Sequence, residues 1–407
     1  GAVDVMIDKA LAIATADPPG PVHIDVPIGL AGAVSKPSGY PRYTKPSLTV
    51  PADGPDLARA RDAIANAERP LMICGVEVLH HDAADAVSEV AHRLSIPTLT
   101  SYKAKGVIAE DDLLSLGGHG LSPKSFKLLK PLIDDADVIV LAGYDPIEMR
   151  IDWRHVWQPD TEGKTVIEIS AQPNRHFVHQ ADISFVCDVG AGLRALTEGL
   201  NGKPTWADGK ALKMRESLKA AFPTDEVWGP AAVIDAARQA FPKHGFAAVD
   251  TGAHRILLSQ QWTCYGPRTL VQSTGLCTMG CAMPLAMGHK IANPDTPVIA
   301  FTGDAGMEMI LGEMATLRDM KLPVVTIVFV DESLSLIELK QRANSQDNVG
   351  VDFGGTDFAA VAQAMGGNGV TATSREALMS AIEAGLNADT FTIIACPIGR
   401  KAYDGRF

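Results

Sequence analysis

No stretch of this chain reaches the roughly 18 consecutive apolar residues of a membrane-spanning helix, so a membrane is not expected as a partner. Positive charge is scarce: 36 Lys and Arg stand against 48 Asp and Glu, a net charge of −12. That balance argues against nucleic acid or an anionic lipid surface as partner. Six cysteines (Cys74, Cys187, Cys264, Cys277, Cys281, Cys396) include no CxxC pair and read as buried free thiols in a reducing, cytoplasmic compartment. GxGxxG is missing, so dinucleotide binding has no local signal and FAD is not expected. His80, His81, His119, His155, His176 and His179 show no metal-ligand spacing and read as surface or satisfied core residues. No signal peptide is visible, and the chain begins without Met, inside a helical pattern. What is present is ample apolar material: 407 residues, 46% hydrophobic and 21% charged, predict two to three globular domains.

Apolar runs alternate with helical patterns along most of the chain, which predicts an α/β fold with doubly wound parallel sheets. Residues 3–15 form an amphipathic helix, and Pro21–Pro27 reads as a strand. Residues 36–56, rich in Pro, Ser and Gly, read as a linker. From 57 to 202, helices at 57–67, 83–94, 124–132 and 190–200 interleave with strands at 70–74, 97–100, 138–142, 165–169 and 183–187. That alternation predicts a six-stranded Rossmann-like domain. Residues 203–227 supply a connector and a basic helix, and a further α/β domain is expected over 228–407.

The richest chemistry lies in Pro297–Leu336. Val298–Thr302 is a short apolar strand ending in Gly303-Asp304-Ala305-Gly306. A helix is expected from Met307 to Met320, and Val324–Phe329 reads as the return strand ending before Asp331-Glu332-Ser333. A helix of that length carries the chain back about 21 Å, and the strand brings it forward about 20 Å. Asp304 and Asp331 should therefore sit side by side at the carboxyl ends of adjacent strands, where open α/β sheets bind ligands. Gly303 and Gly306 allow backbone N–H groups to approach an anion, with a helix N-terminus behind them. Two carboxylates beside a phosphate cradle suit Mg²⁺. An ordinary crossover, with its acids capping a helix or solvated, is the alternative.

Gly303-Asp304-Ala305 followed at the right spacing by Val330-Asp331 resembles the Gly-Asp-Gly to Asn-Asn motif of thiamine-diphosphate enzymes. The Asp at 331 is similar to that of the FAD-independent, catabolic acetolactate synthases. Ser273-Thr274-Gly275-Leu276-Cys277-Thr278-Met279-Gly280 with Pro284 resembles a second motif of the family, and Thr251-Gly252-Ala253-His254 stands where one side of the diphosphate is held. The resemblance implies thiamine diphosphate and Mg²⁺ as cofactors, with Asp304, Asp331 and the Ser333 carbonyl on the metal. It implies His254 on phosphate, with Thr251, Gly252, Ala253, Gly303, Ala305, Gly306 and Leu334 also lining the cofactor. Met279 would hold the cofactor bent and the Cys277 carbonyl would accept from its aminopyrimidine. Ile337, apolar where pyruvate-decarboxylase-type enzymes place a Glu, implies carboligation of 2-oxo acids rather than simple release. Lys340 replaces the Trp of the anabolic enzymes. A non-oxidative 2-oxo acid decarboxylase is the alternative, as is a cofactor-binding fragment or subunit inactive by itself. Residues 1–35 resemble the end of the family's pyrimidine-binding domain, whose remainder, in the same or a separate chain, is an expected partner. A homodimer or homotetramer is the expected assembly. Residues 342–354 suit a mobile lid.

Overall fold

The computed structural model describes residues 3–17, 19–34, 39, 47–150, 153, 156–157, 163–174 and 176–407. His155 and most of the expected linker before residue 47 lie outside them. Among the described residues twelve strands form two six-stranded sheets, all of whose pairings are parallel.

The first sheet contains β1 (Pro70–Cys74), β2 (Thr98–Ser101), β3 (Ser115–His119), β4 (Val138–Ala142), β5 (Thr165–Ser170) and β6 (Ile183–Val186), in the order β3-β2-β1-β4-β5-β6. The second contains β7 (Phe246–Val249), β8 (Leu270–Gln272), β9 (Val298–Gly303), β10 (Val325–Val330), β11 (Asn368–Thr371) and β12 (Thr392–Pro397), in the order β11-β12-β10-β9-β7-β8. Their central strands are continuous apolar runs because helices cover both faces. Met72, Cys74 and Val140 pack on one side of the first sheet, and Leu71, Ile73 and Ile139 on the other. Phe301, Ile327 and Phe329 likewise oppose Val298, Ala300 and Val328 in the second.

The chain reverses its direction of winding between β1 and β4 in the first sheet and between β7 and β9 in the second. Each reversal opens a crevice at the carboxyl edge. In the first sheet Glu148 fills it. Its carboxylate accepts from the Ser101 hydroxyl, from Val76 N–H at 3.0 and 3.1 Å, and from Asp145 N–H at 3.3 Å. A Cβ on Gly75 would lie 2.3 Å from the Gly143 carbonyl and 2.6 Å from Glu148 Oε1, so nothing but hydrogen fits there.

The sheets dock through residues 102–110. Lys105 and Glu110 form a buried ion pair, Glu110 Oε2 accepts from Cys264 N–H at 2.8 Å, and Glu110 N–H donates to the Cys264 carbonyl at 2.8 Å. Gly106, at φ +84°, brings its backbone so close that a Cβ would stand 2.1 Å from the Gly266 carbonyl oxygen. Gln272 donates to the Tyr102 carbonyl at 2.8 Å.

Two expectations are corrected. Residues 21–27 are exposed and, among the described residues, pair with no strand; Pro21 and Pro27 withhold two N–H groups. The single helix expected over Met307–Met320 is three pieces: an α-helix at Asp304–Glu308, a 3₁₀ turn at Leu311–Glu313 and an α-helix at Met314–Asp319. Ile310 leaves helical geometry at φ −126°, ψ 16°, next to the permissive Leu311-Gly312 turn. Met309 consequently points to solvent while Met314 and Leu317 are buried. Two residues of the expected lid meet the site segment: Ser333 bridges Asp352 in antiparallel fashion, and Leu334 N–H donates to the Val351 carbonyl at 2.8 Å.

Candidate functional site

At the reversal point of the second sheet the ends of β7, β9 and β10 surround a cavity of about 140 Å³. Every site residue expected from sequence lines it except Cys277: Thr251 to His254, Met279, Gly303 to Gly306, Asp331, Ser333, Leu334 and Ile337. Cys277 lies on the exposed loop 274–279, at φ +52°, and does not reach the cavity wall. Sequence reasoning did not include Phe329, Ser335, Leu336 and Tyr403 among the lining residues. Tyr403 comes from the terminal segment, buried there while Asp404 binds Arg342 at 2.6 Å and Arg406 binds Glu226. An aromatic one residue before an Asp and three before an Arg carries no site signal by itself.

The two carboxylates do converge. Asp304 Oδ2 accepts from Asp331 N–H at 3.0 Å and from Glu332 N–H at 2.7 Å, and Oδ1 accepts from Ala305 N–H at 2.8 Å. Asp331 accepts from the Ser335 hydroxyl and, at 3.4 Å, from Ser333 N–H. Burial raises the Asp304 carboxyl above the ordinary carboxylate range. Burial, with the neighbouring Asp304 charge adding to it, pushes Asp331 up to about 6. Glu332, directly after Asp331, takes φ +54°, a left-handed conformation that a non-glycine residue adopts at a cost and that functional turns often hold. Among the described residues no group of three or more His, Cys, Asp or Glu side chains is placed to hold a metal. A cation here would rest on two carboxylates, a backbone carbonyl and the oxygens of its ligand, a donor set that suits Mg²⁺. The helix behind the Gly303–Gly306 turn is only five residues long, so anion donors must come from the turn's own N–H groups rather than from a long helix dipole.

His254 packs flat against Phe329, ring centroids 5.4 Å apart, and its Nε2 lies 2.8 Å from Asp250 Oδ1. Its Nδ1 edge lies over Gly252 and Gly303: a Cβ at those positions would stand 2.5 and 3.5 Å from Nδ1. Asp250, fully buried, also accepts from Gly280 N–H at 2.6 Å and the Thr302 hydroxyl at 2.7 Å through Oδ2. Sequence reasoning did not assign Asp250 to the site.

Residues 57–196 match the family described as "Thiamine pyrophosphate enzyme, central domain", and residues 250–396 match "Thiamine pyrophosphate enzyme, C-terminal TPP binding domain". The chain carries the central and C-terminal domains of a thiamine pyrophosphate enzyme. The first sheet is the central domain of such an enzyme, and the second, with its cavity, is the domain that binds thiamine diphosphate. Relatives include an acetolactate synthase of Bacillus subtilis, 26% identical over 96% of this chain and 69% of its own length. A catabolic acetolactate synthase of Raoultella terrigena is 24% identical over 97% and 71%, and an acetolactate synthase large subunit of Parasynechococcus marenigrum is 28% identical over 97% and 65%. The chain thus spans about two thirds of the length of these relatives. No helix among the described residues is long and apolar enough to cross a membrane.

Proposed function

We propose that this thiamine pyrophosphate enzyme is an acetolactate synthase-type carboligase, dependent on Mg²⁺, that decarboxylates a 2-oxo acid and joins the acyl unit to a second carbonyl. The observation that carries the reading is the meeting, in one cavity at a sheet's reversal point, of a buried acid pair, a glycine turn and His254.

Thiamine diphosphate, when bound, supplies the carbon nucleophile and the electron sink for loss of CO₂. The chain's residues do the rest. Asp304 and Asp331, with the Ser333 carbonyl, would hold the divalent cation; each acid raises the cost of ionising the other, a cost that a divalent cation removes. His254 and the turn N–H groups would face the phosphates. Met279, half-buried at the cavity wall, would support the bent cofactor. Ile337, half-exposed at the wall, offers no proton to the bound acyl unit, which favours carboligation over aldehyde release. Glu148 in the first sheet's crevice supports a central domain without FAD.

Exposed apolar side chains stand close by in sequence or on the rim, among them Leu276 at 100%, Met309 at 64% and Ile337 at 49% exposure. The helix at Val3–Ala14 buries none of its residues although Met6, Ile7 and Leu11 are apolar. These surfaces support a site completed by a pyrimidine-binding domain and a second protomer, in a homo-oligomer.

Calorimetry with thiamine diphosphate, with and without Mg²⁺ and with a chelator, tests the cofactor reading. Binding is expected only with the divalent ion. Equal binding in chelator sinks the metal assignment, and absence of binding in every condition, with the pyrimidine-binding domain supplied, sinks the cofactor site.

A further inference from the structure

Three segments that approach the cavity are separated by long stretches of chain: the turn into the helix bearing His254, the loop bearing Met279, and the strand end before Asp304. One carboxylate touches all three. Asp250 sits at the end of β7, beside the reversal point, with none of its surface exposed. Oδ1 meets His254 Nε2 at 2.8 Å; Oδ2 takes Gly280 N–H at 2.6 Å and the Thr302 hydroxyl at 2.7 Å. We propose that Asp250 is the positioning residue of the cofactor site, orienting the His254 ring with one oxygen and registering the Met279 loop against β9 with the other. The proposal rests on the cofactor reading above and adds to it the residue that holds its parts in place.

The chemistry of the contacts gives each oxygen a distinct task. Oδ2 already accepts from Gly280 N–H and the Thr302 hydroxyl, and with Oδ1 accepting as well the His254 proton is assigned to Nε2, toward Asp250. The Nδ1 edge is thereby left over Gly252 and Gly303, on the cavity side. Phe329 stacks on the ring and fixes its plane, while Asp250 fixes its rotation within that plane. The second oxygen acts on backbone. Gly280, at φ +74°, directly follows Met279, so the bond from its N–H sets where the Met279 side chain enters the cavity. Crowding leaves the carboxylate no alternative position. A Cβ on Gly306 would lie 2.7 Å from Oδ2 and 2.6 Å from the Thr302 hydroxyl, so glycine at 306 is required by the same contact.

Asp250→Asn separates positioning from mere packing, because the amide has nearly the same shape. With its oxygen on Gly280 and Thr302, its NH₂ faces His254 Nε2, and the histidine proton must move to Nδ1. Nitrogen NMR of ¹⁵N-histidine-labelled full chain, assigned by loss of one signal pair in His254→Gln, reads this directly. In the wild type Nε2 should give a protonated-nitrogen shift, and in Asp250→Asn an unprotonated one. Affinity for thiamine diphosphate with Mg²⁺ should rise roughly 3- to 10-fold, because Nδ1 then offers the phosphates a donor in place of a lone pair. Inorganic diphosphate with Mg²⁺, which meets the same edge, should gain by a similar factor. A wild-type His254 unprotonated at Nε2 overturns the proposal, whether or not the variant folds. So does a variant with wild-type nitrogen shifts and affinities. The NMR arm needs no cofactor: wild-type chain that binds neither probe, yet shows Nε2 protonated, rejects the cofactor reading and leaves the Asp250 hold intact.

Discussion

Replacing Glu148 by glutamine tests whether a buried carboxylate in the first sheet's crevice sets the pH dependence of stability. Burial pushes this carboxyl up to about 7 from an ordinary value of 4.5, against the lowering effect of its Ser101, Val76 and Asp145 donors. The sign follows from which state binds the proton more tightly. Folded Glu148 holds its proton up to about pH 7, whereas the unfolded side chain releases it near 4.5. Its contribution is therefore most favourable below pH 4.5 and is lost as the pH rises through about 7. The gap, at about 1.4 kcal/mol per pH unit, is worth about 3 kcal/mol. Glutamine does not titrate, but its NH₂ must face a donor such as Val76 N–H, at a pH-independent cost of about 1–3 kcal/mol. The variant should be the less stable protein at pH 5, and the difference should close or reverse by pH 8. Urea unfolding at several pH values, with hydrogen exchange at the Val76 amide reporting the first sheet, measures it. All other groups titrate alike in the two proteins and cancel. A difference that stays constant from pH 5 to pH 8 would refute the reasoning.

Gly106→Ala combines a left-handed backbone with a 2.1 Å approach to the Gly266 carbonyl and should destabilise by roughly 2–4 kcal/mol. Gly209→Ala, at φ +69° in open space, should cost only about 1 kcal/mol by the same thermal denaturation. Lys105→Met strands the buried Glu110 carboxylate and should cost about 3–5 kcal/mol, much of it recovered by adding Glu110→Leu, as denaturant midpoints will report. Ile337→Glu places a proton donor at the cavity wall, and chromatography of the products should show the aldehyde fraction rising roughly 10-fold or more relative to the carboligation product. An unchanged product ratio would place the partition elsewhere.

Strands buried on both faces were legible because nothing but a continuous apolar, β-branched run fits them; β4, β9 and β10 are such runs. Of those that escaped, β12 is such a run as well, and the other three lack the signature. β3, Ser-Leu-Gly-Gly-His, has two glycines, β8 is three residues long, and β11 is an edge strand without a buried residue. Pattern also fails when it depends on one residue's geometry. Met309, Met314 and Leu317 have helical spacing, yet the chain leaves the helix at Ile310 and turns Met309 outward. Within the candidate site, the turn residues and the acid pair were legible because strand ends of one sheet lie on one edge. Asp250 was not, since its donors come from residues up to 52 positions away, and Tyr403 was not, since the terminal segment's path depends on ion pairs no local pattern encodes.

The link between Glu110 and Cys264 also bears on the order in which the molecule assembles. The two residues are 154 positions apart, so bringing them together costs roughly 4 kcal/mol in chain entropy if nothing intervenes is folded. Once each sheet has formed, most of that distance is already spanned by rigid structure, and closing the contact becomes a docking event between two bodies. Cys264 N–H and Glu110 N–H should then be the last amides protected in refolding and the first released when the bodies part. They are reporters of docking, separable from the amides of β1 and β9, which report the folding of each sheet.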